Sequence, residues 1–306
     1  MHIFELPAVD YGKPIEYRYQ NRTYSYVLPY KFFRKSTIIL LLKLFRIPII
    51  IHLHSGEFDI FYKELNPTIQ KYVRWIYSLA DKTVLLTNGW HNWYKDKINT
   101  NESMVIYNGV KDYLNKNSEP LKQRKNTILF LGRLERKKGI YDLLYAFEKI
   151  LQITPDTRLI ICGDGEMAKC KRLAKKLHID LQTDFVGWVD EKKKYELLNK
   201  SKIYVLPSYF EGLPMGVLEA MSAGMAVITT DAGGTPEAIT DKKNGILIKS
   251  GSLKQIYENT IFLLQNPDEA ERLGKEARKC FLKNFNILKV SKKITEVYYE
   301  ILKIES

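Results

Sequence analysis

The chain has 306 residues, of which 45% are hydrophobic and 27% are charged. This is ordinary for a globular protein, suggests about two domains at ~150 residues each, and excludes collagen-like, low-complexity and disordered chains. The 48 basic and 35 acidic residues give a net charge of +13. Solvated helix faces are the simplest explanation, with an anionic membrane surface or an anionic substrate as alternatives. Nucleic acid ranks last, because no nucleic-acid-binding motif accompanies the charge.

The cysteines and the first residues indicate a cellular compartment. The chain has three cysteines, Cys162, Cys170 and Cys280. Their number is odd, and no two of them have the spacing of a metal site or a redox pair. Such cysteines are typical of a reducing cytoplasm. No secretory signal pattern opens the sequence. We therefore expect a cytoplasmic protein.

The first third of the chain contains the most apolar stretch, residues 38–53. Lys43, Arg46 and Pro48 interrupt it, and it is shorter than the ~20 residues that a spanning helix needs. It predicts a helix followed by a buried strand. A membrane-surface helix over residues 31–45 remains an alternative, because lysine and arginine flank Phe, Ile and Leu there.

The remaining elements before residue 127 are less regular. Residues 7–30 show no clean period and are left unassigned. Strands are predicted over 47–53 and 82–86 and a helix over 72–80, so this part is also α/β. The polar segment 115–126, which contains a proline, is the best candidate for an interdomain linker.

From residue 127 onward, apolar strands alternate regularly with helices of amphipathic period. Near-continuous apolar strands in this arrangement predict a parallel sheet covered on both faces, followed by three helices. The predicted strands are 127–132, 157–163, 184–189, 203–207, 225–230 and 245–249. The predicted helices are 139–153, 166–177, 191–199, 214–223, 235–239, 252–265, 267–283 and 288–303.

Residues 163–168, Gly-Asp-Gly-Glu-Met-Ala, match the dinucleotide-binding fingerprint. The acidic residue that should follow, Asp184, precedes its strand, whereas a ribose-binding acid belongs at a strand's carboxyl end. The motif also follows the second strand of its domain instead of the first. A nicotinamide enzyme is therefore disfavoured, and the glycines indicate close approach of the backbone to a ligand or a neighbour.

Three other segments follow predicted strands, at the edge where open α/β sheets bind ligands. Arg133 and Lys138 flank the turn 132–139, and two cations there suit a diphosphate, although such loops are often only solvated. Glu211 and Glu219 are separated by seven residues, with Glu219 inside a helix. Their simpler explanation is an acid near a helix N-terminus. The third segment, 230–237, is a Gly-Gly turn and helix start, or a plain loop and cap.

Taken together, these segments resemble the nucleotide-sugar-binding domain of family 4 glycosyltransferases, retaining enzymes of the GT-B fold. The resemblance covers residues 127–285 strongly and 47–112 moderately. In the first part it depends on the segment 52–58, His-Leu-His-Ser-Gly-Glu-Phe, and on the turn 107–110, Tyr-Asn-Gly-Val. It implies an α/β fold of two Rossmann-like domains facing across a cleft.

The resemblance also implies a role for each matching residue. Arg133 and Lys138 would neutralise the donor diphosphate, Glu211 would contact the donor sugar, and Glu219 would accept hydrogen bonds from ribose hydroxyls. His54 would lie near the transferred sugar or its acceptor, whereas His52 is expected to point the other way and to be structural. Backbone N–H groups from the loop and helix start would bind the donor. The implied donor site contains Arg133, Lys138, Glu211, Gly212, Leu213, Pro214, Met215, Gly216 and Glu219, and the implied catalytic residues are His54, Glu211, Arg133 and Lys138.

The resemblance further implies the reaction and its partners. Sugar transfer from a nucleotide-diphosphate sugar would retain the anomeric configuration, and the leaving phosphate would assist deprotonation of the acceptor. No metal or other cofactor is expected. The acceptor is expected to be a saccharide or a lipid-linked saccharide in cell-surface polysaccharide (capsule) synthesis, at the inner face of the plasma membrane.

The expected domains are 1–118, the acceptor side; 119–285, the nucleotide-sugar side; and 286–306, a helix that crosses back to the first domain. Members of the family normally begin with a strand, a Gly-rich turn and a long helix. Only 51 residues precede His52, so the first domain is expected to be incomplete. A non-catalytic partner subunit or truncated remnant therefore remains an alternative to an active transferase.

Overall fold

The structure is a computed structural model that describes residues 2–4, 16–19, 22–25, 27–54, 58–98, 102–114 and 119–303, with side chains described from residue 32 onward. The chain divides into two compact units. The first contains Met1–Ile106 with Lys293–Ser306, and the second contains Tyr107–Lys292. The sequence had placed this boundary later, after residue 118.

The first unit contains a four-stranded parallel sheet in the order β1-β4-β5-β6 and a separate antiparallel pair, β2 and β3. The strands are β1 (His2–Phe4), β2 (Glu16–Tyr19), β3 (Arg22–Ser25), β4 (Ile50–Leu53), β5 (Lys82–Leu85) and β6 (Ser103–Val105). The helices are α1 (Val27–Leu44), α2 (Phe58–Glu64), α3 (Pro67–Ser78) and α4 (Asn88–Lys97).

The apolar stretch of the first unit folds as predicted, a helix followed by a buried strand. Helix α1 ends at Leu44, Arg46 takes a positive φ of 55°, and strand β4 is buried along its whole length. Of the helices in the described part of the chain, none is long and apolar enough to cross a membrane.

Helix α3 begins earlier than the predicted residue 72. Asn66 caps it, because its side-chain oxygen accepts a hydrogen bond of 3.0 Å from the Ile69 N–H, and Pro67 occupies the first turn. A side-chain cap followed by proline is a strong helix start, and it lies outside the apolar period on which the prediction relied.

The predicted strands at 47–53 and 82–86 are confirmed as β4 and β5.

The second unit contains a six-stranded parallel sheet in the order β12-β11-β10-β7-β8-β9. Every predicted element after residue 126 is confirmed to within about two residues. The strands are β7 (Thr127–Leu131), β8 (Arg158–Cys162), β9 (Thr183–Gly187), β10 (Ile203–Leu206), β11 (Ala226–Thr230) and β12 (Ile246–Ile248). The helices are α5 (Ile140–Ile153), α6 (Met167–Lys176), α7 (Glu191–Lys200), α8 (Met215–Ser222), α9 (Thr235–Ala238), α10 (Leu253–Gln265) and α11 (Pro267–Asn284). Helix α12 (Ile287–Leu302) begins in the second unit, and its residues from Lys293 onward belong to the first.

The order of these strands locates a ligand crevice. From β7 the chain adds β8 and β9 on one side, and then returns to add β10, β11 and β12 on the other. The order therefore reverses between β7 and β10, which are direct neighbours. In open α/β sheets ligands bind beyond the carboxyl ends of the strands at such a switch point.

The described part of the predicted linker, residues 119–126, is held in place. Leu121 is buried in a short 3₁₀ turn. The Arg124 guanidinium is buried too, and donates hydrogen bonds to the backbone oxygens of Leu198 (3.1 Å) and Ser201 (2.9 Å). This part of the segment belongs to the body of the second unit.

Candidate functional site

The loops that follow β7, β10 and β11 lie side by side at the carboxyl edge of the large sheet. Strand β10 pairs in parallel with β7 on one side and with β11 on the other. The three segments that the sequence singled out therefore meet at the switch point of the sheet.

The centre of this edge is an ion pair between Lys138 and Glu211. The Lys138 Nζ donates to both carboxylate oxygens of Glu211, at 2.8 and 2.9 Å. The Ser208 hydroxyl donates to the Oε1 of the same carboxylate at 2.7 Å. Glu211 is only 7% exposed. The loop after β7 thus supplies a cation to a buried carboxylate of the loop after β10.

Backbone contacts hold these two loops together. Gly139, which follows Lys138, has a φ of +69°, and a Cβ there would collide with the Pro207 backbone oxygen. The Tyr209 N–H donates to the Lys137 oxygen at 2.8 Å. Glycine satisfies both the positive φ and the close approach, so the position of Lys138 relative to Glu211 is set by the backbone.

The second glutamate of the motif lies on α8 and pairs with a lysine of α7. The Lys194 Nζ donates to Glu219 Oε1 at 2.7 Å and lies 5.7 Å from the centre of the Tyr113 ring. Glu219 is 8% exposed, and this burial raises the pKa of its carboxyl above the usual value, while Lys194 acts in the opposite direction. The ammonium therefore favours the ionised carboxylate at a buried position.

Lys194 is a site residue that the sequence analysis did not identify. It belongs to the run of lysines 192–194, part of the basic excess for which solvated helix faces were the simplest explanation. The structure shows that Lys194 is mostly buried and that Lys193 instead pairs with Glu196 on the surface. The two lysines are neighbours in sequence but project from different sides of α7. Lys194 is assigned to the site because it contacts Glu219 of α8.

Helix α8 begins close to the end of β7 because residue 216 has no side chain. A Cβ at Gly216 would collide with the Tyr204 hydroxyl. That hydroxyl donates to the Leu131 backbone oxygen at 3.2 Å, and complete burial holds the pKa of Tyr204 well above its usual value. The first turn of α8 is therefore fixed against the carboxyl end of the sheet.

The backbone donors expected at 213–216 are fewer than the sequence analysis assumed. Pro214 has no N–H, and its oxygen instead accepts from Val217 at 3.1 Å. The remaining candidates are Leu213, Met215 and Gly216. First-turn N–H groups of a helix have no partner within the helix, so the N–H groups of Met215 and Gly216 remain candidate donors to a ligand.

The third predicted segment, residues 230–237, holds the loop that carries Glu211. The Gly234 N–H donates to the Gly212 oxygen at 2.8 Å, and the Thr230 hydroxyl donates to the Ser208 oxygen at 2.6 Å. These bonds fix the loop that carries Glu211. The segment 230–237 is therefore a support for the site.

Arg133 lies on the same loop as Lys138 but is more exposed. Its side chain is 56% exposed, and its Nε lies 4.0 Å from a carboxylate oxygen of Asp164. An exposed guanidinium at this edge is able to reach an incoming anion. The structure thus assembles Lys138 with Glu211 and leaves Arg133 at the rim.

The dinucleotide-like turn at 163–165 contacts a neighbouring loop. A Cβ at Gly163 would collide with the Gly132 backbone oxygen, and the Leu134 N–H donates to the Asp164 oxygen at 2.6 Å. Of the two explanations that the sequence left for these glycines, close approach to a neighbour is confirmed.

His54 belongs to the first unit and follows β4. The ring centres of His52 and His54 are 4.0 Å apart, and His52 is buried. The expectation that His52 points the other way is wrong, because side chains two residues apart on a strand share a face. Residues 55–57 of the same segment lie outside the described residues.

Comparison with known proteins decides the family. The profile of the family described as glycosyl transferases group 1 matches residues 113–280, more than half of the chain. The chain belongs to this family. The match contains the loop of Lys138, the motif of Glu211 and Glu219, and the lysine Lys194.

Individual relatives agree with this group 1 assignment. The chain is 25% identical over 268 residues to the N-acetyl-alpha-D-glucosaminyl L-malate synthase of Bacillus anthracis, covering 84% of this chain and 69% of that protein. It is 30% identical over 213 residues to an uncharacterized glycosyltransferase of Haemophilus influenzae, covering 69% of this chain and 59% of that protein. The chain thus spans about three fifths to two thirds of the length of these relatives.

Solved structures show the fold of this glycosyltransferase. The Anabaena protein HepE, solved with UDP and glucose, superimposes with a TM-score of 0.74 at 16% identity, over 87% of this chain and 76% of that one. The neighbours are glycosyltransferases of the GT-B class, and the mixed α/β architecture with parallel sheets that the sequence predicted is confirmed.

Proposed function

We propose that this group 1 glycosyltransferase moves a sugar from a nucleotide-diphosphate sugar to an acceptor, with retention of configuration. The observation that carries the proposal is the pairing of Lys138 with the buried Glu211 at the switch point of the sheet. The buried Glu219 lies on α8, the helix that follows the loop of Glu211. A cation for phosphate and two carboxylates for hydroxyl groups are the chemistry that a nucleotide sugar requires.

In the proposed chemical step, cations of the protein stabilise the negative charge of the leaving diphosphate. The bond between the anomeric carbon and the leaving phosphate oxygen breaks, and the acceptor oxygen forms its bond on the same face. The acceptor proton passes to a leaving phosphate oxygen. Negative charge therefore develops on the diphosphate, and the cations of Lys138 and Arg133 stabilise that charge more in the transition state than in the ground state.

The glutamates would recognise the rest of the donor. The Glu219 carboxyl group, held by Lys194, accepts hydrogen bonds from the two ribose hydroxyls. Glu211 accepts from hydroxyls of the donor sugar, while Leu213, Met215 and Gly216 offer backbone N–H groups. The Anabaena structure solved with UDP-glucose supports a donor of this class.

We also propose the acceptor and its place. The acceptor would be a saccharide, carried on a lipid, in the synthesis of a cell-surface polysaccharide at the inner face of the plasma membrane, with His54 near the reacting sugar. A basic and apolar surface of the first unit, described below, supports a location at a membrane. His54 would orient the acceptor or the transferred sugar through its ring nitrogens.

A panel of nucleotide sugars tests the donor proposal. The purified chain should bind and slowly hydrolyse at least one donor, releasing the nucleoside diphosphate, and Glu219→Ala should weaken its binding. Glu258→Ala, an exposed glutamate of α10 outside the site, is the matched control. Binding without release of diphosphate would favour the non-catalytic partner subunit. Binding of no donor, or wild-type affinity in Glu219→Ala, would contradict the proposed site.

A further inference from the structure

Helix α1 of the first unit carries apolar side chains on its solvent-exposed side as well as on the side that packs into the core. Phe32, Ile39 and Leu42 are buried and lie along one stripe of the helix. Beyond that stripe, Leu44 is 75% exposed and Phe45, just after the helix end, is 71% exposed. A large apolar side chain gains free energy when it leaves water, and in the described part of the chain these two side chains remain largely uncovered.

Further apolar side chains of the same helix reach the solvent. Phe33, Leu40 and Leu41 on α1 are also exposed. An exposed cluster of this kind on one element marks an interaction site more often than scattered single residues do.

Aromatic side chains of α3 extend this area. The Tyr72 ring stacks on Phe33 at 6.0 Å and lies 5.8 Å from the ring of Trp75, which is half exposed. Tyrosine and tryptophan combine an apolar body with a polar tip, which suits the boundary between lipid and water. We call the patch of Phe33, Leu40, Leu41, Leu44, Phe45 and Trp75 the α1–α3 surface.

The charged residues within α1 and α3 have one sign, and one of them, Lys43, pairs with Asp81 outside the helices at 3.6 Å. Helix α1 contains four basic residues and α3 contains two, and neither contains an acidic residue. Arg34 is exposed beside Phe33, and Lys71 is exposed beside Tyr72. A second copy of the chain would bring the same positive charge to a symmetric contact, which opposes self-association.

We propose that the α1–α3 surface binds an anionic lipid bilayer, with α1 lying in the interface. The leucines and aromatic rings would enter the boundary of the acyl chains, and the basic side chains would contact anionic headgroups. This inference does not depend on the donor site, because it involves only helices of the first unit.

Vesicle co-sedimentation tests the proposal with the full chain. The chain should bind vesicles that contain phosphatidylglycerol more strongly than vesicles of phosphatidylcholine alone, and salt should weaken the binding. Leu41→Gln with Leu44→Gln should lower the partition coefficient about ten-fold. Arg34→Gln with Lys71→Gln should lower it about five-fold for each residue, the equivalent of ~1 kcal/mol per charge near the membrane.

Matched controls come from the second unit. Leu181 and Leu288 are 79% and 76% exposed, and their replacement by Gln should leave vesicle binding unchanged. Lys254→Gln with Lys279→Gln, two exposed lysines, controls for the loss of charge. All variants should retain donor binding, which separates a failure here from a failure of the proposed function.

Three results would overturn the proposal. These are equal binding to neutral and anionic vesicles, unchanged binding of the Leu41/Leu44 variant, and conversion of a dimer to a monomer by that same variant. The last result would assign the surface to a second copy of the chain.

Discussion

Glu211 and Glu219 are both buried, and each accepts a hydrogen bond from a lysine ammonium. The partners come from different elements, Lys138 from the loop after β7 and Lys194 from α7. A buried carboxylate that loses its paired cation is costly, because the charge is then left uncompensated. The lysines therefore have structural as well as chemical consequences.

Replacement of Lys138 tests its role in charge stabilisation. Lys138→Ala should lower kcat by ~10²–10³, as removal of a fixed charge-stabilising donor does in other enzymes. Lys137→Ala changes the adjacent exposed lysine and should retain near-wild-type kcat. Steady-state kinetics with the donor found in the panel measures both.

A second variant separates catalysis from folding. Lys138→Met combined with Glu211→Gln removes both charges of the pair, so the free energy of unfolding should recover relative to Lys138→Ala. The activity should not recover. Recovery of activity together with stability would show that Lys138 acts only on the fold.

Lys194 should control the pH dependence of nucleotide binding. Burial raises the pKa of Glu219, and Lys194 opposes that rise. Since the ionised carboxylate accepts the ribose hydrogen bonds, affinity is present above this pKa and is lost as pH falls through it. Lys194→Met should raise the pKa further and move the loss of affinity to higher pH.

Calorimetric titration of one nucleoside diphosphate across the acidic range measures this shift. Using the same ligand throughout cancels the titration of its own phosphate. Lys194→Arg should restore the wild-type profile, and Lys200→Met, an exposed lysine of the same helix, should not change it. An unchanged profile in Lys194→Met would remove Lys194 from the site.

At the scale of elements, the contact between α8 and β10 depends on one missing side chain. Gly216→Ala places a Cβ against the Tyr204 hydroxyl and should lower the free energy of unfolding by ~1–3 kcal/mol. Tyr204→Phe removes that hydroxyl and should recover part of the loss in the double variant. Urea unfolding of the four proteins measures the coupling, and strictly additive effects would contradict the contact.

The regular alternation after residue 126 explains why the second unit could be predicted from sequence. Buried parallel strands are near-continuously apolar and their helices are amphipathic, so each element has its own signal. In the first unit, α2, α4 and β6 were not predicted, and neither were β1, β2 and β3. They are short, and α4 contains many polar residues, so their signal is weak.

The regular alternation of strands and helices also made part of the candidate site predictable. Motifs that follow strands meet at one edge of a parallel sheet, which brought Lys138 to Glu211. The pairing of Lys194 with Glu219 joins two helices and leaves no trace in residue spacing. His52 was misplaced because the alternation of a strand was applied to residues two apart.

At the scale of the whole molecule, we propose that the donor phosphates are neutralised by protein cations. Lys138 and Arg133 lie at the edge where the diphosphate would bind, so turnover should persist after treatment with a chelator and should not rise on addition of Mg²⁺ or Mn²⁺. Donor hydrolysis with and without the chelator measures this. Loss of turnover that is restored by one divalent cation would contradict the metal-free proposal.

The most direct test of the central claim is an experimental structure of the chain with a bound nucleoside diphosphate. We expect phosphate oxygens within hydrogen-bond distance of Lys138 and Arg133, and ribose hydroxyls that donate to Glu219. A nucleotide bound elsewhere on the sheet, with Lys138 and Lys194 still paired only to their glutamates, would contradict it.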